Sequence, residues 1–193
     1  IEIGAGEQWD DVVQRTVDMG LSGIECLSAI PGTAGAAPVQ NIGAYGQEIA
    51  NTLLSLKAYD RTADAYVSLS NEECLFGYRN SIFRDTAMGR YVIISITLRL
   101  SKALPSPPFY KALQDYLDTH AVTVYTPQAI RDAVVAIRKD KLPSPDERPN
   151  VGSFFKNAII PNPQLQSLRE KYPEIPAYTM ENEKSKVPTG WLI

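Results

Sequence analysis

Cysteine and histidine are scarce in this chain of 193 residues: Cys26, Cys74 and His120 are all it has. A zinc site draws four ligands from such residues, or three where it is catalytic. No Cys/His metal centre is therefore expected, and no metal is assigned. A Ser-His-Asp triad would have to use His120, which follows Asp118-Thr119 in a polar stretch, and none is expected. Two lone cysteines build no disulfide framework, which points to a reducing compartment. No apolar run approaches the roughly 20 residues of a membrane helix. Positive charge is not in excess either. The 19 Lys and Arg face 22 Asp and Glu, a net charge of -3, which argues against a nonspecific binder of nucleic-acid phosphates. What is present is the balance of a folded domain rather than a disordered tail, with 44% hydrophobic and 21% charged residues.

The start, Ile1-Glu2-Ile3-Gly4, alternates like a strand and carries neither an initiator Met nor a signal-peptide pattern. The last residues, Gly190-Trp191-Leu192-Ile193, are side chains that favour a core. Both ends read as cuts within a longer protein. Between them, Trp9, Val12, Val13, Thr16 and Val17 recur at helical spacing before a Gly20 stop. Residues 52–60 and 65–70 read as two strands joined by Arg61-Thr62-Ala63-Asp64, with a helical turn at Asn71-Glu72-Glu73. Residues 91–100 read as a strand that buries Ile94, Ile96, Leu98 and Leu100. Helices are expected over 109–117, from Thr126-Pro127 to about Lys139, and from Asn162-Pro163 with Leu165, Leu168 and Tyr172 in its stripe. Residues 141–150 read as a loop and 151–160 as extended or irregular. Clustered rather than alternating elements make the class α+β. A composition shift near Tyr125 suggests two domains, 1–125 and 126–193.

Three clusters are candidates for chemistry. Residues 30–46 hold four glycines and four alanines among seventeen residues, with no charged side chain. Such a segment is either a turn-rich connector or a backbone cradle for a planar cofactor or phosphate. It is neither a Walker loop nor a Gly-x-Gly-x-x-Gly fingerprint. In Gly77-Tyr78-Arg79-Asn80-Ser81, Arg79 is flanked by Phe76, Tyr78, Ile82 and Phe83. A lone arginine is ordinarily a surface charge, but a guanidinium among aromatics suits carboxylate recognition. In Gly152-Ser153-Phe154-Phe155-Lys156-Asn157, Ser153 is either a strand-end residue or a hydroxyl beside a substrate.

In order along the chain stand Ile-Pro-Gly-x-x-Gly-Ala-x-Pro-x-Gln-Asn-Ile-Gly-Ala-Tyr-Gly, Glu-Cys-x-Phe-Gly-Tyr-Arg-x-Ser-x-Phe, Lys-Leu-Pro-x-Pro and Gly-Ser-Phe-Phe-Lys-Asn. Together they resemble the UDP-N-acetylenolpyruvoylglucosamine reductase family over nearly the whole chain. The resemblance implies part of a PCMH-type FAD-binding domain (the second half, 1–125) followed by the N-terminal part of an α+β substrate-binding domain (126–193). It implies FAD as cofactor, NADPH as hydride donor and UDP-N-acetylglucosamine enolpyruvate as substrate, reduced to UDP-N-acetylmuramate for peptidoglycan. It further implies a monomer of the bacterial cytoplasm that takes part in cell-wall synthesis, cell shape and division, and binds neither nucleic acid nor membrane.

By the same resemblance, Ser153 matches the proton donor and Arg79 the arginine at the substrate carboxylate. Tyr78 matches a substrate-site position, Lys141 and Asn157 match positions for the nucleotide diphosphate, and Tyr110 is similar to a tyrosine over the substrate. Ile30, Gly32, Gly35, Ala36, Val39, Ile42, Gly43 and Tyr45 are expected near the flavin. The sequence departs from the family in carrying Ala36-Ala37 where hydroxyl residues are frequent, and Ala158 where proline is. The family's glycine-rich FAD subdomain is expected before Ile1 and its partner glutamate beyond Ile193, and no acidic residue here matches that glutamate. Two alternatives stand beside this reading: a non-catalytic nucleotide-sugar-binding module of the same fold, and a related flavoenzyme with another substrate. The Tyr78-Arg79 pair and Ser153 argue against the second.

Overall fold

A computed structural model of the protein describes residues 1–143, 147–149, 154–180 and 182–193. The chain is α+β and packs as two units, Ile1–Leu142 and Pro143–Ile193. Packing divides it later than the composition shift at Tyr125 does, because the helix after Thr126 joins the first unit.

In the first unit, β1 (Glu2–Gly4) leads into α1 (Trp9–Asp18). Helix α1 buries Trp9, Val12, Val13, Thr16 and Val17, with Asp10 and Asp11 in its first turn, where the helix dipole favours acid. Gly20, at φ 68°, supplies the left-handed residue that ends it. A short hairpin follows, β2 (Gly43–Ala44) and β3 (Gln47–Glu48), and then β4 (Leu53–Asp60), β5 (Ala65–Ser70) and β6 (Tyr91–Leu98). Strands β1, β6, β4 and β5 form one antiparallel sheet in that order. Helices α2 (Lys111–Thr119) and α3 (Pro127–Lys141) share a small core of Leu113, Leu117, Ile130, Val134 and Ile137 with Cys26. Thr126 caps α3, its hydroxyl accepting from Ala129 N at 3.1 Å, and Pro127 occupies the first turn.

Strict alternation fails in β6. Ile96 and Leu98 are buried as expected, but Ile94 is 44% exposed and Ser95 is buried. Lys57 pairs with Ser95 while Ala58 pairs with Ile93, so Ile94 is an extra residue in the ladder. One inserted residue reverses which side chains face the core, and Ile93 and Tyr91 therefore pack against it. A second irregularity leaves Leu54, also 44% exposed, outside the ladder.

The β4–β5 turn is closed by Asp60, which accepts from Thr62 N (2.9 Å), Ala63 N (3.3 Å) and the Arg90 guanidinium (2.6 Å at the shortest). The bonds from Arg90, followed by those from the two backbone N–H groups, prevail over burial and hold the Asp60 carboxyl down to about 2. A carboxyl lowered by folding stabilises the fold fully above its ordinary value of 3.8 and loses that contribution as pH falls through the folded value. Acid titration is expected to show a stability loss between about pH 4 and pH 2 that Asp60→Asn removes. Parallel acid curves for the two proteins would contradict this.

In the second unit, β7 (Ala158–Pro161) is followed by α4 (Asn162–Lys171), β8 (Tyr178–Met180), β9 (Lys184–Val187) and the single turn α5 (Thr189–Leu192). The sheet order is β7-β9-β8, antiparallel throughout, over a core of Leu165, Ile175 and Val187. Leu168 packs against that core, but Tyr172 is 54% exposed because α4 ends at Lys171 and the chain leaves the helical path there. Periodicity alone places Tyr172 in the stripe.

Candidate functional site

Residues 30–46 run as a chain of tight turns. Ala36 N donates to Thr33 O, Val39 N to Ala36 O and Ile42 N to Ala37 O, at 3.0–3.2 Å. The run is laced to the residues after β1, with Trp9 N to Gly32 O, Ala34 N to Glu7 O and Gly35 N to Ala5 O at 2.8–2.9 Å. Gly35 lies so close to its neighbour that a Cβ there would stand 2.6 Å from Ala5 Cβ. Ala34, Ala37 and Ile42 are buried in the core. The segment connects α1 to the hairpin, and its small residues are needed for its own packing.

Beside this connector opens a cavity of about 380 Å³. Main chain and small side chains line one part of it (Ala5, Gly6, Thr33, Gly35), and Val39, Phe83, Tyr91 and Ile93 line the rest. A Cβ at Gly6 would meet nothing within 4 Å. A cavity of this size falls within the range of ligand sites, and glycine beside apolar and aromatic residues suits a flat heteroaromatic group. Of the positions expected near a flavin, Gly35 and Val39 line this cavity. Ile42 is a core residue, Ile30 packs partly buried on that core, and Gly32 (φ 117°) and Ala36 are exposed. Ile93 was not singled out from the sequence, because only the displaced ladder turns it inward. Ala5, Gly6 and Tyr91 had no motif to mark them.

Gly43 and Tyr45 belong instead to the β2–β3 hairpin. Tyr45 (φ 47°) and Gly46 (φ 87°) form its two-residue turn, and two positive φ values are what a type I′ turn needs. Arg79 is anchored on this hairpin. Its Nη2 donates to Gly43 O at 2.5 Å, and its Nη1 lies 3.5 Å from both Asn41 O and Glu48 Oε1. A Cβ on Gly43 would stand 2.7 Å from that Nη1, so glycine is what lets the guanidinium approach. The Tyr78 ring centroid is 5.2 Å from Arg79 Cζ, and Tyr110 meets Tyr45 edge to face at 6.0 Å. Two further bonds stitch the sequence clusters together: Ser81 Oγ donates to Val39 O at 2.6 Å and Asn41 Nδ2 to Gly77 O at 3.0 Å. Arg79, Tyr78, Tyr110, Gly43 and Tyr45 are thus gathered by one hairpin that sequence reasoning missed. Its signal was the Tyr45-Gly46 pair, hidden by strands of two residues each.

Lys141, Asn157 and Ser153 belong to other segments of the chain. Lys141 ends α3 in the first unit. Asn157 is in the second unit, where its Oδ1 accepts from Thr189 N at 3.1 Å. Ser153 lies outside the described residues. His120 is exposed and stacks on Tyr116, with ring centroids 3.9 Å apart. Burial, together with a neighbouring glutamate in each case, pushes the Cys26 and Cys74 thiols up to about 12, so neither is a thiolate nucleophile. Among the described residues, no cluster of three His, Cys, Asp or Glu side chains could hold a metal, and no helix is long and apolar enough to cross a membrane.

Comparison with known proteins addresses the same residues. Residues 1–67 match the FAD binding domain family. Over its whole length the chain is 43% identical to UDP-N-acetylenolpyruvoylglucosamine reductase of Amoebophilus asiaticus and 44% identical to that of Chromobacterium violaceum. Along its whole length the chain is thus similar to reductases of this name. It spans 57% of the length of each of these two reductases. The crystal structure of UDP-N-acetylenolpyruvylglucosamine reductase from Thermus caldophilus shares the fold, with a TM-score of 0.52 at 19% identity over 97% of this chain and 60% of that one. The FAD-binding match covers α1, the small-residue connector, the hairpin and β4, and so includes most of the cavity wall formed by main chain.

Proposed function

We propose that the chain is part of a flavin-dependent reductase that converts UDP-N-acetylglucosamine enolpyruvate to UDP-N-acetylmuramate with NADPH. The observation that carries this is the 43% identity, over the whole length of the chain, to a reductase of that name. The domain assignment, bacterial cytoplasmic location and monomeric state belong to the same proposal.

FAD, when bound, supplies the hydride chemistry, and the protein supplies position and field. The reduction adds a hydride to the terminal carbon of the enolpyruvyl double bond and a proton to the neighbouring carbon. Negative charge develops in between and spreads into the adjoining carboxylate. The Arg79 guanidinium meets that carboxylate with paired N–H donors. Its anchorage on Gly43 O supports this role, because a fork already held needs little reorganisation. The Ser153 hydroxyl delivers the proton. A hydroxyl is a very weak acid and donates only to a strongly basic carbon, which this addition creates. Lys141 and Asn157 hold the diphosphate, while Tyr78 and Tyr110 line the sugar and enolpyruvyl region. Ala5, Gly6 and Gly35, which line the cavity, would help to hold the flavin.

The test uses the full-length protein carrying this sequence, loaded with FAD. Anaerobic NADPH is expected to bleach the flavin absorbance, and the enolpyruvyl nucleotide to restore it. NADPH oxidation that ignores the nucleotide would sink the proposal.

A further inference from the structure

We infer that Glu48, held in place by Asn41, is a positioning residue that sets the Arg79 guanidinium for its carboxylate. The inference rests on the functional reading above. Tyr78 and Arg79 form the tip of a tight turn closed by Gly77 N to Asn80 O (3.0 Å) and Asn80 N to Gly77 O (3.1 Å). Arg79 sits there at φ 51°, the left-handed region that non-glycine residues seldom occupy. A long side chain on such a tip has many rotamers, and a recognition fork needs one.

The hairpin provides the restraint. Gly43 O and Asn41 O accept from the guanidinium, and Glu48 Oε1 is its one carboxylate partner among the described residues, at 3.5 Å. Glu48 is itself fixed. Its Oε2 accepts from Asn41 Nδ2 at 2.8 Å, and its backbone N–H donates to Asn51 Oδ1 at 2.8 Å. Asn41 is 1% exposed and fully engaged, also bonding Gly77 O and Ala50 N. The anchors use Nη1 and Nη2, while Nε donates to no partner among the described residues. The Nε edge is therefore the one left to meet a ligand carboxylate. The Glu48 side chain is 36% exposed and that of Arg79 28% exposed. A pair this wet adds little to folding, so its geometry matters more than its stability.

The experiment is a double-mutant cycle in the FAD-loaded full-length protein. Glu48→Gln removes the charge while its amide oxygen still accepts from Asn41. It is expected to raise KM for the enolpyruvyl nucleotide about tenfold, with flavin reduction by NADPH within about twofold of wild type. In an Arg79→Lys background the same change is expected to have less than about a twofold effect, since Glu48 acts through Arg79. Equal effects in both backgrounds would mean general structural damage and would overturn the inference. Wild-type turnover with an unaltered Glu48→Gln variant would overturn it alone. Wild-type protein that ignores the nucleotide would overturn the functional reading and this inference together.

Discussion

Replacing Asp10 with alanine is expected to cost the first unit about 3 kcal/mol, and replacing Arg131 with methionine only about 1 kcal/mol. The two residues join α1 to α3 through a bidentate pair, Nη1 to Oδ1 at 2.6 Å and Nη2 to Oδ2 at 2.9 Å, with Gln14 Oε1 accepting from Nε at 2.6 Å. The asymmetry follows from exposure. The Arg131 side chain is 9% exposed and that of Asp10 is 40% exposed. Removing Asp10 strands a buried guanidinium, whereas removing Arg131 leaves a carboxylate that water reaches, and methionine refills much of the vacated volume. Asp10 also accepts from Ala29 N at 2.6 Å. Ala29 is at φ 56° and immediately precedes the small-residue connector. Its loss is therefore expected to weaken FAD binding as well. Burial raises the Asp10 carboxyl, but Arg131 and the Ala29 N–H outweigh it and leave the net value below the ordinary 3.8. The pair thus stabilises the fold at neutral pH and weakens as pH falls below that value. Urea melts of the two single variants and the double variant check this. The double variant is expected to be more stable than Asp10→Ala alone, because it no longer buries an unpaired charge. A double variant weaker than both singles would show that packing, not charge, dominates here.

What the sequence made legible was periodic or motif-bound. Helix α1 was visible because Trp9, Val12, Val13 and Val17 repeat at helical spacing, and α3 because Thr126-Pro127 announces its start. Ile94 was misread because a displaced ladder is a pairing event between strands, and nothing in the residues of β6 alone encodes it. Strands β8 and β9 escaped notice because Lys184, Ser185, Lys186 and Val187 lack the apolar alternation of a strand buried on one face. At the site, the three clusters were readable as motifs, and two of them prove to be bonded to one another. The cavity itself was not readable, because its walls come from the residues after β1, the connector, the turn near Phe83 and β6, which meet only in three dimensions. Gly43 illustrates the difference. Its place in a motif was plain, but the reason it is glycine, the approach of Arg79 from more than thirty residues away, is a fact of packing.

Ser153→Ala is expected to leave flavin reduction by NADPH within about twofold of wild type and to slow reoxidation by the enolpyruvyl nucleotide at least a hundredfold, about the contribution of a positioned general acid. The two half-reactions separate because only the second needs a proton on carbon. An alanine changes neither the charge at the site nor the donors on Arg79, so binding of the nucleotide is expected to survive. Stopped-flow absorbance in the absence of oxygen reads both halves on one sample. The histidine and the two cysteines compete poorly for this role. His120 is exposed at the end of α2 and stacked on Tyr116, and Cys26 and Cys74 are buried thiols with values pushed up to about 12. A serine donor has a further consequence. Its hydroxyl does not titrate in the working range, so the reoxidation rate is expected to lack the fall with rising pH that a histidine donor with an ordinary value near 6.5 would impose. Reoxidation at wild-type speed in Ser153→Ala would move the proton to another group and remove the chemical reason for singling out Gly152-Ser153-Phe154.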